Sequence, residues 1–285
     1  MNSKASNFIT RTLTGLVYVA LLVGSILGGP LWAFFFFSAL GAATVWEFCS
    51  LMNRHYGASL VPHIQALAGL VLGGGIWLQL VGGKNSTAMF ALYALLMLYV
   101  FVSELYRRAA DPIRNWALAA MAQLYVALPF ALMPMLCIFF DEGAGRPLYV
   151  AVYPLALFIF LWVNDTGAYL CGTTLSRYFP TRLFPRISPG KSWVGSIGGG
   201  LLTLAASVAV WYFSQPSFTL PQWLGFAMVV VVFGTWGDLV ESLIKRHIGV
   251  KDSGTILPGH GGMLDRLDSA LLSIPATVAY LLMVG

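Results

Sequence analysis

The stretch WLGFAMVVVVFGTWGDLVESL, residues 223–243, decides the fold. Trp223 to Gly237 carries no charge, and the whole stretch has the roughly 20 mainly apolar residues that a bilayer-crossing helix needs. Its end then turns polar. Asp238, Ser242 and Lys245 follow at i, i+4 and i+7, so they share one helix face, with Glu241 close to it.

Similar stretches lie at about 13–29, 32–52, 64–81, 87–105, 116–139, 149–170, 193–213 and 268–285. The 285 residues are 58% hydrophobic and only 9% charged. A soluble domain carries about 25% charged residues, so too few remain here to cover a water-facing surface. The expectation is an all-α polytopic membrane protein of about nine transmembrane helices, because lipid cannot satisfy open backbone groups. The alternating ten-residue segments of a transmembrane barrel are absent. The first stretch follows Lys4 and Arg11 but has no small-residue cleavage site after it, so it reads as an uncleaved span.

The basic residues orient the bundle. Nine spans put Lys4, Arg11, Arg54, Arg107, Arg108 and Arg114 on one side, with all Lys and Arg of 171–192 and 244–267. The other side keeps Lys84 and Arg146. That bias places the N-terminus in the cytoplasm and the C-terminus outside, in the cell (inner) membrane. The net charge of +5 therefore reflects orientation and attraction to anionic lipid or nucleotide, not nucleic-acid binding. Cys49, Cys137 and Cys171 show neither metal spacing nor a disulfide framework. The chain divides in character into N-terminal helices, 1–148, and a C-terminal part, 149–285, that carries most of the candidate chemistry.

That chemistry sits in the two longest connections. Asp238 to Asp268 packs five acids and four bases around a glycine-rich loop with Lys251, Asp252 and His260. Carboxylates holding Mg²⁺ attract a nucleotide triphosphate, and Lys and Arg neutralise the remaining phosphate charge. Glycines let backbone N–H groups approach phosphate oxygens. A helix start near Asp265 adds a favourable dipole end. The bland alternative, a solvated loop, fits poorly with this density in so uncharged a chain.

SLIKRHIGVKDSGTILPGHGGMLDRLD, residues 242–268, resembles the defining motif of the phosphatidate cytidylyltransferases, the CDP-diacylglycerol synthases, in their bacterial form. The fixed positions are met at Ser242, Lys245, Arg246, Lys251, Asp252, Pro258, His260, Gly261, Gly262, Asp265, Arg266 and Asp268. A second element resembles the same family: Asp165, Gly167, Ala168 and Tyr169, then Ser188, Pro189, Lys191 and Ser192. The chain departs from that second pattern at Gly190 and Val194. Lys191, Ser188 and Ser192 read as phosphate or headgroup ligands, with a plain turn before a helix as the alternative.

The resemblance implies transfer of the cytidylyl group of CTP to phosphatidic acid, with pyrophosphate leaving. It implies Mg²⁺ at Asp238 and Asp265, with Asp268 assisting there or at a second cation. Lys245, Arg246, Lys251 and Arg266 would bind the triphosphate and the leaving pyrophosphate, with Asp252 in the same catalytic set, and His260 would order the glycine loop or donate to a phosphate. Asp165, Ser242, Gly261 and Gly262 join the substrate contacts, and a homodimer is implied. Glu47, near the cytoplasmic end of the second span, reads as packing or headgroup contact. Two other functions remain in view: a CTP-dependent polyprenol or phytol-type lipid kinase, and an ion-coupled transporter.

Overall fold

The structure, a computed structural model, describes residues 3–141, 143–214, 218–254 and 261–284, with side chains from Thr12 onward. Their helices are α1 (Ser3–Leu27), α2 (Pro30–His55), α3 (Pro62–Leu80), α4 (Ser86–Arg107), α5 (Pro112–Met121), α6 (Leu128–Cys137), α7 (Val152–Leu175), α8 (Trp193–Phe213), α9 (Leu220–His247) and α10 (Leu264–Val284). Two antiparallel hairpins interrupt them: β1 (Ile138–Asp141) with β2 (Arg146–Tyr149), and β3 (Arg182–Phe184) with β4 (Ser188–Ser192).

Eight helical stretches among the described residues are long and apolar enough to cross a membrane, and they match eight of the expected nine. The first expected stretch falls in α1, whose apolar part Thr12–Leu27 is shorter. Proline opens α2, α3 and α5, where its missing N–H costs nothing and its fixed φ suits a helix start.

The fifth expected span, 116–139, is not one uniform helix. A π turn over Ala122–Ala127 joins α5 to α6, and the Leu128 N–H reaches back five residues to the Gln123 carbonyl. Pro129 and Pro134 follow and remove two amide donors from the ladder. Buried Gln123 sits in this turn and donates to the Gln65 carbonyl and side-chain oxygens at 2.9 and 2.8 Å.

The chain packs as two compact units. One is Met1–Ala151 with Ile248–Leu267, and the other is Val152–His247 with Asp268–Gly285. In the first unit α3 packs on α2, α4 and α6. A buried polar knot ties its connections. Glu104 accepts from Arg107 Nη1 at 2.8 Å and from Asn115 Nδ2 at 3.0 Å, while Asn115 Oδ1 accepts from Ser59 N at 3.0 Å.

In the second unit α7 and α8 run in close contact. A Cβ on Gly199 would stand 2.5 Å from the Asn164 carbonyl oxygen and 2.9 Å from Ala168 N. Helices in lipid gain no hydrophobic drive from touching each other, so such close backbone packing is what holds them. Behind it, Tyr153, Phe160, Trp223 and Phe226 form an aromatic core, with Trp223 and Phe226 ring centroids 5.5 Å apart. Each such pair adds about 0.5–1.5 kcal/mol.

Candidate active site

Three helices and one hairpin of the second unit line a cavity of about 640 Å³ that carries several charged and polar side chains. α7 supplies Asp165 and Tyr169, α9 supplies Asp238 and Thr235, and the hairpin supplies Arg182, Lys191 and Ser192. Ser188–Gly190 stand in this hairpin and not in the plain turn of the alternative reading: β4 pairs with β3 in the register Arg182↔Ser192 and Phe184↔Ser188. Three- and five-residue strands leave too little alternation to show in the sequence.

The hairpin aims Lys191, whose Nζ lies 2.6 Å from Asp238 Oδ2. Both side chains are partly exposed, at 25% and 29%. Asp238 Oδ1 also accepts from Ser242 Oγ at 3.2 Å, one turn further along α9. Ser192 is buried and caps α8, accepting from Gly195 N at 3.2 Å, and it bonds Ser176 Oγ at 3.0 Å. It therefore fixes the end of the strand that carries Lys191. Ser192→Ala is expected to cost about 1 kcal/mol through the lost cap, read as a lower melting temperature in detergent.

Asp268 of α10 is half-buried and within electrostatic reach of Asp238, Asp165 and Lys191. Asp165 and Asp238 line the cavity with one ammonium, Lys191, and Asp268 lies nearby on α10 outside that lining. Among the described residues no three His, Cys, Asp or Glu side chains form a ready metal cage. Mg²⁺ needs none: it keeps several waters and binds through one or two carboxylates plus substrate phosphates. The carboxylates of Asp165 and Asp238, which line the cavity, are oxygen donors of the kind it takes.

Further along α9, Lys245 Nζ lies 2.5 Å from the fully buried Glu241. This i, i+4 order, with Glu first, favours the helix. Arg246 is exposed beyond them, and Ser188 is half-buried on β4 outside the cavity lining.

The rest of the motif belongs to the first unit. Lys251, Asp252 and Arg266 are exposed, while Ser253 and Gly262 are buried. Asp265 Oδ2 accepts from both Ser253 N and Gly262 N at 2.9 Å. The Gly262 amide, expected to approach phosphate, is thus already engaged by a carboxylate. Gly261 takes a left-handed φ of +85° that suits glycine. His260 and Pro258 lie outside the described residues.

Glu47, which the sequence reads as packing or headgroup contact, packs: it is buried on α2 and bonded to this same loop, a partner the sequence does not name, accepting from Ser253 Oγ at 2.5 Å, Met263 N at 2.9 Å and Leu264 N at 3.0 Å. A signal was present: Glu47 is the sole acid before residue 104 and lies in a span, where an ionisable group marks function by default. Arg182 and Thr235, which line the cavity, carried no such signal.

The model of the cytidylyltransferase family matches residues 9–284. The chain belongs to that family. It is similar to the phosphatidate cytidylyltransferase of Staphylococcus aureus (strain COL), 34% identical over 272 residues that cover 93% of this chain and 95% of the relative. The phosphatidate cytidylyltransferase of Staphylococcus epidermidis (strain ATCC 12228) is 32% identical over 269 residues with the same coverage. That of Staphylococcus haemolyticus is 31% identical over 271 residues. Family membership therefore extends through both compact units and is not confined to the motif.

Proposed function

We propose that this membrane protein transfers the cytidylyl group of CTP to phosphatidic acid, yielding CDP-diacylglycerol and pyrophosphate. The observation that carries the reading is the acid- and lysine-lined cavity of a cytidylyltransferase-family chain. Its relatives' shared name gives the lipid acceptor. A phosphate monoester oxygen is already ionised near neutral pH, so it attacks the α-phosphorus without a strong general base. Catalysis is then positioning and charge neutralisation.

In this reading Asp238 and Asp165 face the cation site, and Asp268 assists there or at a second cation. The resemblance adds Asp265 to the acidic set. Bound Mg²⁺ would supply charge neutralisation at the phosphates. Lys191 leaves Asp238 for a phosphate oxygen when substrate arrives, an exchange of one charge partner for another. Lys245, Arg246, Lys251 and Arg266 neutralise the triphosphate and the leaving pyrophosphate. The distribution of basic residues supports a cytoplasm-facing site in the cell membrane, with the N-terminus inside and the C-terminus outside. A homodimer completes the reading, and light scattering in detergent checks it.

The deciding experiment uses purified protein, phosphatidic acid and CTP labelled at either the α- or the γ-phosphorus. The α-label is expected to enter the lipid fraction, only when phosphatidic acid is present. Lipid carrying the γ-label would establish a lipid kinase instead, and solute flux without CTP consumption a transporter. Chelation by EDTA is expected to stop turnover, and excess Mg²⁺ to restore it. Full turnover in EDTA would remove the cation from the proposal.

A further inference from the structure

We infer that Glu47 is a positioning residue for cytidylyl transfer: from α2 it clamps both ends of the motif loop and so sets where the loop's charged side chains stand. The inference rests on the function proposed above. Its ground is the pattern of bonds within the first unit.

Glu47 is 4% exposed and uses both carboxylate oxygens. Oε1 accepts from Ser253 Oγ and Leu264 N, and Oε2 accepts from Met263 N. Met263 and Leu264 stand at the start of α10, where the first amides of a helix have no partner inside it. A carboxylate more than 200 residues away in sequence supplies that partner. Ser253 belongs to the other end of the loop, so one side chain joins Lys251–Gly254 to Gly261–Arg266. Asp265 adds a second tie between the same two ends, through Ser253 N and Gly262 N.

The glycines show how tightly the clamp is seated. A Cβ on Gly254 would stand 2.9 Å from Glu47 Oε2 and 3.0 Å from its Cδ. A Cβ on Gly262 would fall on Glu47 Oε1 and Ser253 Oγ. At these two positions the carboxylate occupies the space that any other residue would need. The motif's glycines thus serve the clamp as well as any phosphate. Lys251, Asp252 and Arg266, within two residues of the groups it holds, are exposed charges of the loop. Glu47 touches no reacting atom in this scheme. It acts through them.

The test compares kcat and KM of wild type, Glu47→Gln, Glu47→Asp and Ser253→Ala, all normalised to monodisperse, folded protein. Glu47→Gln keeps the shape but sets an amide N–H against backbone donors. It is expected to lower kcat about 100-fold, the scale of an ångström-sized misplacement. KM for CTP should rise in parallel, because Lys251 and Arg266 neutralise the triphosphate. Ser253→Ala, a change small enough to fold, is expected to lower kcat roughly threefold to tenfold, as one lost hydrogen bond allows. Glu47→Asp keeps the acceptors and is expected to run faster than Glu47→Gln. Gly254→Ala is expected to be harmful in wild type and nearly neutral on Glu47→Ala, since neighbours in contact are not additive. A wild-type kcat in both Glu47→Gln and Ser253→Ala overturns the inference, as does full additivity at Gly254. Wild type that fails to move the α-label sinks the proposed function instead, so the two failures are distinguishable.

Discussion

Asp238→Asn is expected to lower cytidylyl transfer by about 10³-fold or more while the protein stays folded in the membrane. The substitution keeps the size of the side chain and its bond from Ser242 Oγ, but removes the charge that a cation needs. It also removes the partner of Lys191 Nζ, 2.6 Å away. That second loss is small. Both side chains are partly exposed, and an ion pair of this kind contributes about 0–1 kcal/mol. Melting temperature and chromatographic profile should therefore stay close to wild type while α-label transfer collapses. Lys191→Met separates the two roles. If Asp238 served only as a counter-charge, the two variants would cost the same. If Asp238 holds the cation, Asp238→Asn costs more, and raising Mg²⁺ does not recover it. Mg²⁺-dependent turnover near the wild-type rate in Asp238→Asn would defeat the assignment.

How much of this was legible in the sequence depends on the range of the interactions involved. The bundle was, because a run such as Trp223–Gly237 can satisfy lipid only as a helix, and that property is local to the run. The grouping of Asp238 with Ser242 was legible for the same reason, since helical spacing fixes it. The β3–β4 hairpin was not, because its strands are short, yet it delivers Lys191 to Asp238 from 47 positions upstream. The π turn over Ala122–Ala127 was hidden too, since the prolines that accompany it come after it. Glu47 marks the limit. Its type and setting were visible, but its partners Ser253, Met263 and Leu264 are set by tertiary packing alone. The glycines around it were read as phosphate-facing because their motif context suggested a ligand. The carboxylate that fills the space beside them lies two hundred residues upstream.

Gly237→Ala is expected to lower both turnover and stability, although glycine carries no functional group. Gly237 is buried on α9 directly before Asp238. A Cβ there would stand 2.5 Å from the Asp268 carbonyl oxygen and 3.1 Å from Ser269 Cα. Both are backbone atoms of α10, so no side chain can swing aside, and the helices must part. Overpacking of this kind costs about 1–3 kcal/mol. The same step carries Asp238 and Asp268 away from each other, because each lies next to or at the point of contact. Turnover should therefore fall by at least about 10-fold, with a lower melting temperature in parallel. Gly24→Ala is the matched control: it lies on α1 with open space around the new Cβ, and it should leave both quantities unchanged. If Gly237→Ala keeps wild-type turnover and stability, the close approach of α9 to α10 does not hold in the working enzyme. The carboxylate grouping built on that approach would fall with it.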